Sequence, residues 1–503
     1  MGAEKTSTAG LSDRLTVTDD PGAPAELSVR SRPATEPPVP FQERQAFGKA
    51  ARHQARRSSH AVLRIPPDRR DPVGLLEEQV RGRDPALASL KYSRMMVSPY
   101  AYYRGAAVVM ASDLVGSPTT GLAAQLCGDA HLANFGVFRS PEEDLLFDIA
   151  DYDETAAGPW EWDVKRLAAS IEIAGRESLF SSRERKEAVR AASRSYHEAM
   201  TEFARRSMLE VWRSQLDSPE LLARFESHLD SKRTSDAWHV VTKACAHESF
   251  RGSDAMLRMV GDEIRISSDP PIVVPIEELG SIAPGSSELE WLGRMIRSYT
   301  GSLQPGLRHL LDEYRVAHLA RHVVGVAAAA SDTWIALLLD ETDRIPLLLQ
   351  VRQAEKSVLE RFGRKGVFSN QAQRVVYGQR LIQVGSDDFL GWERHDGSGR
   401  QHDYYVRRLP DWRGSVDMAG ITPPALELWG RMCGWTLARA HARSGDRVAL
   451  ASYLGRSDAF EVAVCEFARS YADQNERDYE TFEKAVRKGR IVAGSTCRST
   501  PRR

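Results

Sequence analysis

The chain has 503 residues, 42% of them hydrophobic and 27% charged, so it can bury a sizeable core in two or three lobes or domains. Its formal net charge of -1 gives no overall field that would attract nucleic acid or an anionic membrane. The five cysteines show no paired or ligand-like spacing, which argues against a disulfide scaffold or a structural zinc site. Because neither a secretory leader nor a long apolar run is visible, we expect a cytoplasmic protein without nucleic-acid or membrane partners.

The first half of the chain changes from a polar tail to alternating helices and strands. Residues 1–45 are rich in Pro, Ser, Thr, Ala and Glu and are expected to be disordered. A helical pattern starts near Asp71, and the apolar run at 122–127 predicts a strand. A second strand is predicted at 145–149, and long helical patterns occupy about 160–230.

The second half contains most of the predicted strands. A hairpin is predicted with its turn at Gly261 and Asp262. From about residue 322 to 409 several strand-like runs surround one helical stretch, Gln371 to Gln383. The pattern is helical again from Pro423.

The segment that carries recognisable chemistry is GDAHLANFG, which directly follows the first predicted strand. Asp129 precedes Asn134 by five residues, which is the spacing of catalytic Asp and metal-binding Asn in kinase catalytic loops. Such an Asp orients the attacking hydroxyl and accepts its proton, while the Asn oxygen binds a magnesium ion at the nucleotide phosphates. His131 lies between them and either supports the loop or polarises a reacting group.

A second acidic segment follows the strand at 145–149. Asp148 lies at the end of this strand, fourteen residues after Asn134, and Asp151, Asp153 and Glu154 follow it closely. Carboxylate oxygens are the ligands that magnesium prefers, and a bound cation would relieve the repulsion within the cluster. We therefore predict Asn134, Asp148 and Asp151 as metal ligands. The structural alternative is an Asx-rich turn in which Asp129 and Asn134 cap helices or bond the backbone, with a solvated acidic turn at Asp151 and Asp153.

Several motifs together resemble those of a known family. GDAHLANFG, FDIADYDET, GPWEWDVKRLAAS and SPYAYYRG resemble the signature of an uncharacterised bacterial family, over about residues 60–490. More distantly, GDAHLANFG is similar to the catalytic loop of aminoglycoside phosphotransferases, and Phe147-Asp148-Ile149 to their metal-binding strand. This resemblance implies a kinase-like phosphotransferase that uses Mg2+ and ATP on a small-molecule acceptor. It also implies that Asp163 is a structural anchor.

The order of the segments differs from that of kinases, whose small lobe precedes the catalytic loop. Here the strand-rich segment follows it, which leads to the hypothesis of an α+β, protein-kinase-like two-lobe fold that is circularly permuted and carries additional helices. This hypothesis divides the chain into a tail at 1–45, a large helical lobe with the catalytic loop and the metal-binding strand at 46–314, a strand-rich small lobe on the nucleotide side at 315–415, and a helical return with a C-terminal extension at 416–503.

The predicted nucleotide-binding half departs from the family pattern at two places. Gly325 opens the segment GVAAAAS, in which four alanines at 327–330 stand where flexible glycines are expected. A plain packed turn explains this segment as well as a phosphate-binding loop does. Arg352 takes the position of the phosphate-binding lysine, and its planar guanidinium does not replace an ammonium group directly. The nearest acids in sequence, Glu355 and Glu360, cannot be assigned as its partner.

Four functions remain open from the sequence. The first is a phosphotransferase in which Asp129 is the base and Gly325 and Arg352 contact the nucleotide. The second is a pseudokinase that binds nucleotide or metal without turnover. Nucleotidyl transfer would use the same groups, and a metal-dependent hydrolase would need more histidines than His131.

Overall fold

The computed structural model describes residues 39–142, 144–216, 256–279, 287–323, 332–340, 345–363, 366–397, 400–409, 413–414 and 420–494. Helices and strands are both abundant in these ranges, which confirms the expected α+β class. The two-lobe, permuted, kinase-like arrangement stays a prediction. Most of the predicted tail lies outside the described residues, and the first helix begins at Phe41, before the expected boundary at 45.

Among the described residues, five α-helices precede the first strand. They are α1 (Phe41–Gln54), α2 (Pro72–Gln79), α3 (Pro85–Met95), α4 (Pro99–Gly105) and α5 (Ala107–Leu114). The starts of α2, α3 and α4 share one local design, since a proline at the first helical position follows Asp71, Asp84 or Ser98. Each of these three side chains accepts a hydrogen bond from a free backbone N–H of the first turn. The sequence therefore fixes these helix starts locally.

The next part of the chain forms two pairs of short antiparallel strands, followed by helices. These elements are β1 (Ala123–Leu126), β2 (Phe135–Arg139), β3 (Leu145–Ile149), β4 (Ala156–Pro159), α6 (Trp160–Glu177), α7 (Ser182–Phe203) and α8 (Met208–Arg213). Strand β1 pairs with β4 and β2 pairs with β3, so the loop after β1 lies next to the loop after β3. We name these the catalytic loop (127–134), after the role predicted from its sequence, and the acidic loop (150–155).

The strand-rich segment forms one six-stranded antiparallel sheet in the order β11-β12-β10-β9-β8-β7. The predicted hairpin at Gly261 is confirmed, and this glycine has φ +62°, which suits its place in the turn. The strands of this sheet are β7 (Val273–Pro275), β8 (Tyr314–His322), β9 (Thr333–Asp340), β10 (Pro346–Ala354), β11 (Gly391–Gly397) and β12 (Arg400–Arg408). The hairpin consists of β5 (Leu257–Val260) and β6 (Glu263–Ile266), and β13 (Arg413–Gly414) follows the sheet in the chain. The helices of this part of the chain are α9 (Ser287–Tyr299), α10 (Pro305–Asp312), α11 (Val358–Phe362) and α12 (Gln371–Ile382). The sheet begins with β7, earlier in the sequence than residue 315.

Three helices end the described chain: α13 (Pro423–Ser444), α14 (Arg447–Leu454) and α15 (Ala459–Arg487). Helix α13 packs so closely on α7 that a Cβ atom at Gly434 would lie only 2.2 Å from the carbonyl oxygen of Ala192. One hydrophobic core contains Leu76 from α2, Phe147 from β3 and Phe482 from α15. The helical part is thus built from both sides of the strand-rich segment. None of the helices in the described ranges is long and apolar enough to cross a membrane.

Candidate active site

A single asparagine side chain joins the catalytic loop to the acidic loop. The Nδ2 atom of Asn134 donates hydrogen bonds to the carbonyl oxygens of Asp129 and Asp151, both at 3.1 Å. Asn134 is buried, and its Oδ1 atom has no hydrogen-bond partner among the described residues. Because a buried amide oxygen without a partner is unfavourable, this atom is suited to a ligand.

The carboxylate of Asp129 is held by an arginine from α6. Both Nε and Nη2 of Arg166 contact Oδ1 of Asp129, at 2.9 and 2.7 Å. Arg166 also donates to the carbonyl oxygen of Tyr103, whose ring lies 3.9 Å from the guanidinium carbon. Burial alone would lower the pKa of Arg166, but Tyr103 and Asp129 raise it above its usual value. Arg166 is therefore a permanent cation that fixes Asp129.

His131 lies beside Asp129 as a neutral imidazole. Its Nε2 atom is 3.7 Å from Oδ2 of Asp129, and its buried Nδ1 atom has no partner among the described residues. The pKa of His131 is lowered to about 3, mainly by burial. Asp129 opposes this shift, and Arg104 and Arg166 contribute to it. An uncharged ring can support a hydrogen bond in the site, but it does not supply a positive charge.

Asp148 lies in a different environment from the other acids of the predicted site. Its two oxygens accept hydrogen bonds from Arg439 at 2.6 Å, and they also accept from the backbone N–H groups of Ile149 and Val384. Asp148 and Arg439 are both buried. Asp148 is therefore part of a buried ion pair. Both of its carboxylate oxygens already accept hydrogen bonds, so neither is open to a metal ion as the sequence had predicted. Asp151 is the acid whose backbone is bonded to the catalytic loop, and its carboxylate contacts Arg352.

Arg352 reaches the acidic loop from the centre of the sheet. It is fully buried on β10, its Nη1 atom lies 3.2 Å from Oδ2 of Asp151, and its Nη2 atom contacts Oδ2 of Asp153. The hydroxyl group of Tyr405 on β12 donates to the other oxygen of Asp153 at 2.6 Å. Burial alone would lower the pKa of Arg352, but Asp151 and Asp153 raise it. The acidic partners that the sequence did not reveal are thus supplied by the acidic loop.

Asp163 anchors the start of the catalytic loop. Its carboxylate accepts hydrogen bonds from the backbone N–H groups of Cys127 at 2.8 Å and Gly128 at 3.1 Å. The Nε2 atom of His441 lies 3.4 Å from the same carboxylate. Asp163 is buried in the first turn of α6, so it fixes the backbone immediately before Asp129. This geometry agrees with the anchoring role implied by the family resemblance.

Two polar residues of the site were missed from the sequence. Arg166 follows Asp163 by three residues on α6, so the shared helix face offered a signal for it. Lys91 on α3 is buried, and its Nζ atom donates to Gln79 at 2.7 Å. The pKa of Lys91 is lowered to about 7, mainly by burial and also by Arg83, while Glu154 and Asp129 oppose this shift. No local pattern indicates that a lysine from this distant helix belongs near the site.

A cavity of about 190 Å³ lies beside β2 and the first residue of the acidic loop. Gly136, two residues after Asn134, lines one side of it, and Ala150, directly before Asp151, lines another. Further lining residues are Gln379, Gln383, Phe389 and Arg407. The volume is below the roughly 300–1,000 Å³ of pockets that enclose drug-sized ligands, so the cavity suits one part of a larger ligand.

The oxygen atoms present fit a magnesium ion better than a closed metal cage. Among the described residues no group of three or more His, Cys, Asp and Glu side chains has the geometry of a metal site. Asn134 Oδ1 is buried without a partner among the described residues. The Nδ2 atom of the same side chain donates to the backbone carbonyl oxygen of Asp151, whose carboxylate is partly exposed and contacts Arg352. Magnesium is commonly held by one or two protein oxygens together with substrate phosphates. Gly325 and the alanines at 327–330 lie outside the described residues.

Comparison with known proteins gave one match. The model of a family described as an uncharacterized protein conserved in bacteria, DUF2252, matches residues 83–485. No curated protein and no solved structure matched the chain.

Proposed function

Because the chain belongs to the bacterial family DUF2252, whose description names no activity, we propose its function from the site itself: it is a kinase-like phosphotransferase that uses Mg2+ and ATP on a small-molecule acceptor. The observation that carries this proposal is the side-chain amide of Asn134, which joins the backbones of Asp129 and Asp151. The two loop segments that carry a candidate base, an amide oxygen and a second carboxylate are thereby held together, although Asp151 follows Asp129 by 22 positions in the sequence. Phosphoryl transfer needs this set of groups.

In the proposed reaction Asp129 is the base. It accepts the proton of the acceptor hydroxyl as the hydroxyl oxygen forms a bond to the γ-phosphorus of ATP. The bond between that phosphorus and the β–γ bridging oxygen breaks, and ADP leaves. Arg166 keeps the Asp129 carboxylate in place through its two contacts to Oδ1.

Asn134 Oδ1 and the carboxylate of Asp151 are the protein oxygens that would hold Mg2+. A bound magnesium ion supplies positive charge to the nucleotide phosphates. Asp148 has no part in this assignment, because Arg439 and two backbone amides engage its oxygens. Its role is to hold β3 in place, immediately before the acidic loop.

Arg352 is the proposed protein cation for the phosphates. It is buried at the contact between the sheet and the acidic loop, and its Nε atom has no partner among the described residues. The cavity beside Gly136 and Ala150 would take the base of the nucleotide, because these residues adjoin Asn134 and Asp151 in sequence. This arrangement supports the permuted-fold hypothesis, since β10 follows the catalytic loop in the chain and its Arg352 contacts the acidic loop, which is bonded to the catalytic loop through Asn134.

A pseudokinase is the second candidate. The observation in its favour is that Arg352 contacts Asp151, the acid that the proposed enzyme needs for its metal. A protein that keeps this ion pair would bind nucleotide weakly or without metal, and it would not turn over. The two candidates therefore differ in the metal dependence of binding.

Calorimetry with ATP in the presence and absence of Mg2+ tests the proposal directly. We expect wild-type protein to bind ATP with Mg2+, and Asp151→Asn and Asn134→Ala to weaken that binding by about tenfold or more. Asp312→Asn, at an exposed position on α10, is the matched control and should bind like the wild type. Screening of hydroxyl-bearing small molecules for ATP consumption would then identify the acceptor.

Each outcome separates the candidates. Metal-dependent ATP binding together with ATP consumption supports the phosphotransferase. ATP binding that ignores Mg2+ and the Asp151→Asn substitution, without consumption in the screen, favours the pseudokinase. Absence of any ATP binding by folded wild-type protein would overturn both.

A further inference from the structure

Helix α4 carries two polar side chains whose donor groups lack partners. Tyr100 and Arg104 are four residues apart on this helix, so their side chains lie on the same face. The hydroxyl group of Tyr100 and the Nε atom of Arg104 are both buried, and neither has a partner among the described residues. The rest of the Arg104 guanidinium group likewise forms no hydrogen bond or ion pair with any described residue. A buried donor without a partner costs about 1–3 kcal/mol, so this face is suited to a ligand that accepts hydrogen bonds.

The last turn of α4 is bonded to the residue that holds the proposed base. Tyr103, directly before Arg104, donates from its hydroxyl group to the carbonyl oxygen of Arg166 at 2.7 Å. The carbonyl oxygen of Tyr103 accepts from Nη2 of Arg166 at 2.8 Å, and the same arginine contacts the carboxylate of Asp129. The charge of Arg104 also acts on the ring of His131, which lies 3.7 Å from Oδ2 of Asp129. Arg104 is therefore fixed on the side of the catalytic loop where the base lies.

The charges around Arg104 favour a negatively charged ligand. Arg166 and Arg352 are each paired with aspartates of the two loops, whereas none of the described carboxylates pairs with Arg104. Arg104 instead repels a neighbouring cation, because the pKa of Arg94 is lowered, mainly by burial and also by Arg104. An anion between such partly buried like charges would relieve their repulsion and occupy the free donors.

We propose that Arg104 and the hydroxyl group of Tyr100 bind an oxyanion of the acceptor, which is therefore a small molecule with a carboxylate or phosphate group near its reacting hydroxyl. This inference rests on the proposed function and names the class of its second substrate. A planar guanidinium group matches two oxygens of either oxyanion, and the tyrosine adds one more donor. Because Asp129 takes the proton of the acceptor in the proposed reaction, an anion bound beside His131 belongs to the acceptor. The nucleotide phosphates have their own proposed cation in Arg352.

Binding of inorganic phosphate and of acetate tests the oxyanion site without nucleotide or metal. Calorimetry at low ionic strength should detect binding of at least one of these anions to the wild-type protein. The anion that binds more tightly indicates whether the natural group is a phosphate or a carboxylate. Arg104→Gln keeps hydrogen-bond donors but removes the charge, and we expect it to raise the dissociation constant by about tenfold or more. Tyr100→Phe removes one donor and should raise it by a smaller factor.

Arg64→Gln is the matched control for the charge change. Arg64 also has no partner among the described residues, but it is exposed in the segment before α2. We therefore expect this variant to bind both anions like the wild type. Circular dichroism checks that every variant is folded.

A second measurement assigns the oxyanion to the acceptor. Acceptors are compared in pairs that share a carbon chain and differ in charge, such as glycerate with glycerol and glycerol 3-phosphate with glycerol. We expect the compounds that stimulate ATP consumption to carry an oxyanion, and their neutral analogues to be about tenfold less effective or worse. Arg104→Gln should raise the KM for the charged acceptor and leave the dissociation constant of ATP near its wild-type value.

The results distinguish this inference from the proposed function. If wild-type protein binds no ATP with Mg2+, the proposed function and the acceptor role of Arg104 are both wrong. If wild-type protein binds ATP with Mg2+ but binds neither anion, or if folded Arg104→Gln binds both anions like the wild type, only the inference is wrong. If Arg104→Gln weakens ATP binding by about tenfold, Arg104 contacts the nucleotide and its assignment to the acceptor is refuted.

Discussion

Arg439 on α13 and Asp148 on β3 form a buried ion pair, in which Nη2 of the arginine lies 2.6 Å from each carboxylate oxygen. The same arginine nitrogen donates to the carbonyl oxygen of Ile382 at the end of α12. One side chain therefore connects the strand before the acidic loop with two helices. Removing one partner of such a pair leaves an uncompensated charge in the interior.

We predict that the main effect of Asp148→Ala is a loss of stability and not the direct loss of a metal ligand. The substitution leaves Arg439 buried without its counter-charge, which should lower the free energy of unfolding by about 3–5 kcal/mol. Urea unfolding followed by circular dichroism measures this loss. The double substitution Asp148→Leu with Arg439→Met should recover part of the stability. An Asp148→Ala protein with unchanged stability but no metal-dependent ATP binding would instead restore Asp148 as a metal ligand.

A second prediction concerns Gly128, which directly precedes Asp129. Its φ of +88° is unfavourable for residues with a side chain, and a Cβ atom there would lie 2.1 Å from the carbonyl oxygen of Glu154. We expect Gly128→Ala to lower the free energy of unfolding by about 2 kcal/mol or more and to weaken ATP binding. Gly116→Ala is the matched control, because its Cβ atom would meet nothing within 4 Å. Equal thermal stability of the two variants would contradict this prediction.

A third prediction separates catalysis from nucleotide binding. In Arg166→Lys a single ammonium group must replace two nitrogens, Nε and Nη2, which both contact Asp129 and of which Nη2 also donates to the carbonyl oxygen of Tyr103. We expect the rate of ATP consumption to fall by about 10- to 100-fold, because the base loses its fixed orientation. The ATP affinity measured by calorimetry should change little. The control is Arg183→Lys at an exposed position on α7, and a parallel fall in affinity and rate would refute a role confined to Asp129.

The fourth prediction is a pH dependence caused by Lys91. Burial lowers its pKa from 10.5 to about 7, so between these pH values the unfolded chain binds more protons than the folded chain. The contribution of Lys91 to stability therefore rises as the pH increases from about 7 to 10.5. Lys91→Met should remove this rise and stabilise the protein at neutral pH by on the order of a few kcal/mol.

Thermal unfolding across this pH range tests the Lys91 prediction, with Lys49→Met on the exposed face of α1 as the control. If Lys91→Met gains stability and keeps ATP binding and consumption, the buried lysine is dispensable for the proposed function. If Lys91→Met gains stability but loses ATP binding or ATP consumption, Lys91 belongs to the site and lowers the stability of the fold. A pH profile identical to that of the wild type would contradict the shifted pKa.

The sequence by itself identified the local elements of this protein. The strand at 145–149, the hairpin at Gly261 and the helix beginning at Gln371 were predicted correctly, because periodicity, turn chemistry and capping act over a few residues. The spacing of Asp129 and Asn134 likewise indicated one loop, and the structure places both at the junction with Asp151.

Tertiary structure alone decided which of the acids are engaged and by which partner. Asp148 and Asp151 are only three positions apart, at the end of β3 and just after it. Asp148 nevertheless pairs with Arg439, which is 291 positions away in the sequence. Asp151 contacts a different arginine, Arg352, which is 201 positions away. No periodic signal encodes such pairs, since they depend on how the sheet and α13 pack around the two loops. The chemistry of the candidate site therefore follows from local sequence, and the role of each carboxylate follows from the long-range packing that places a cation beside it.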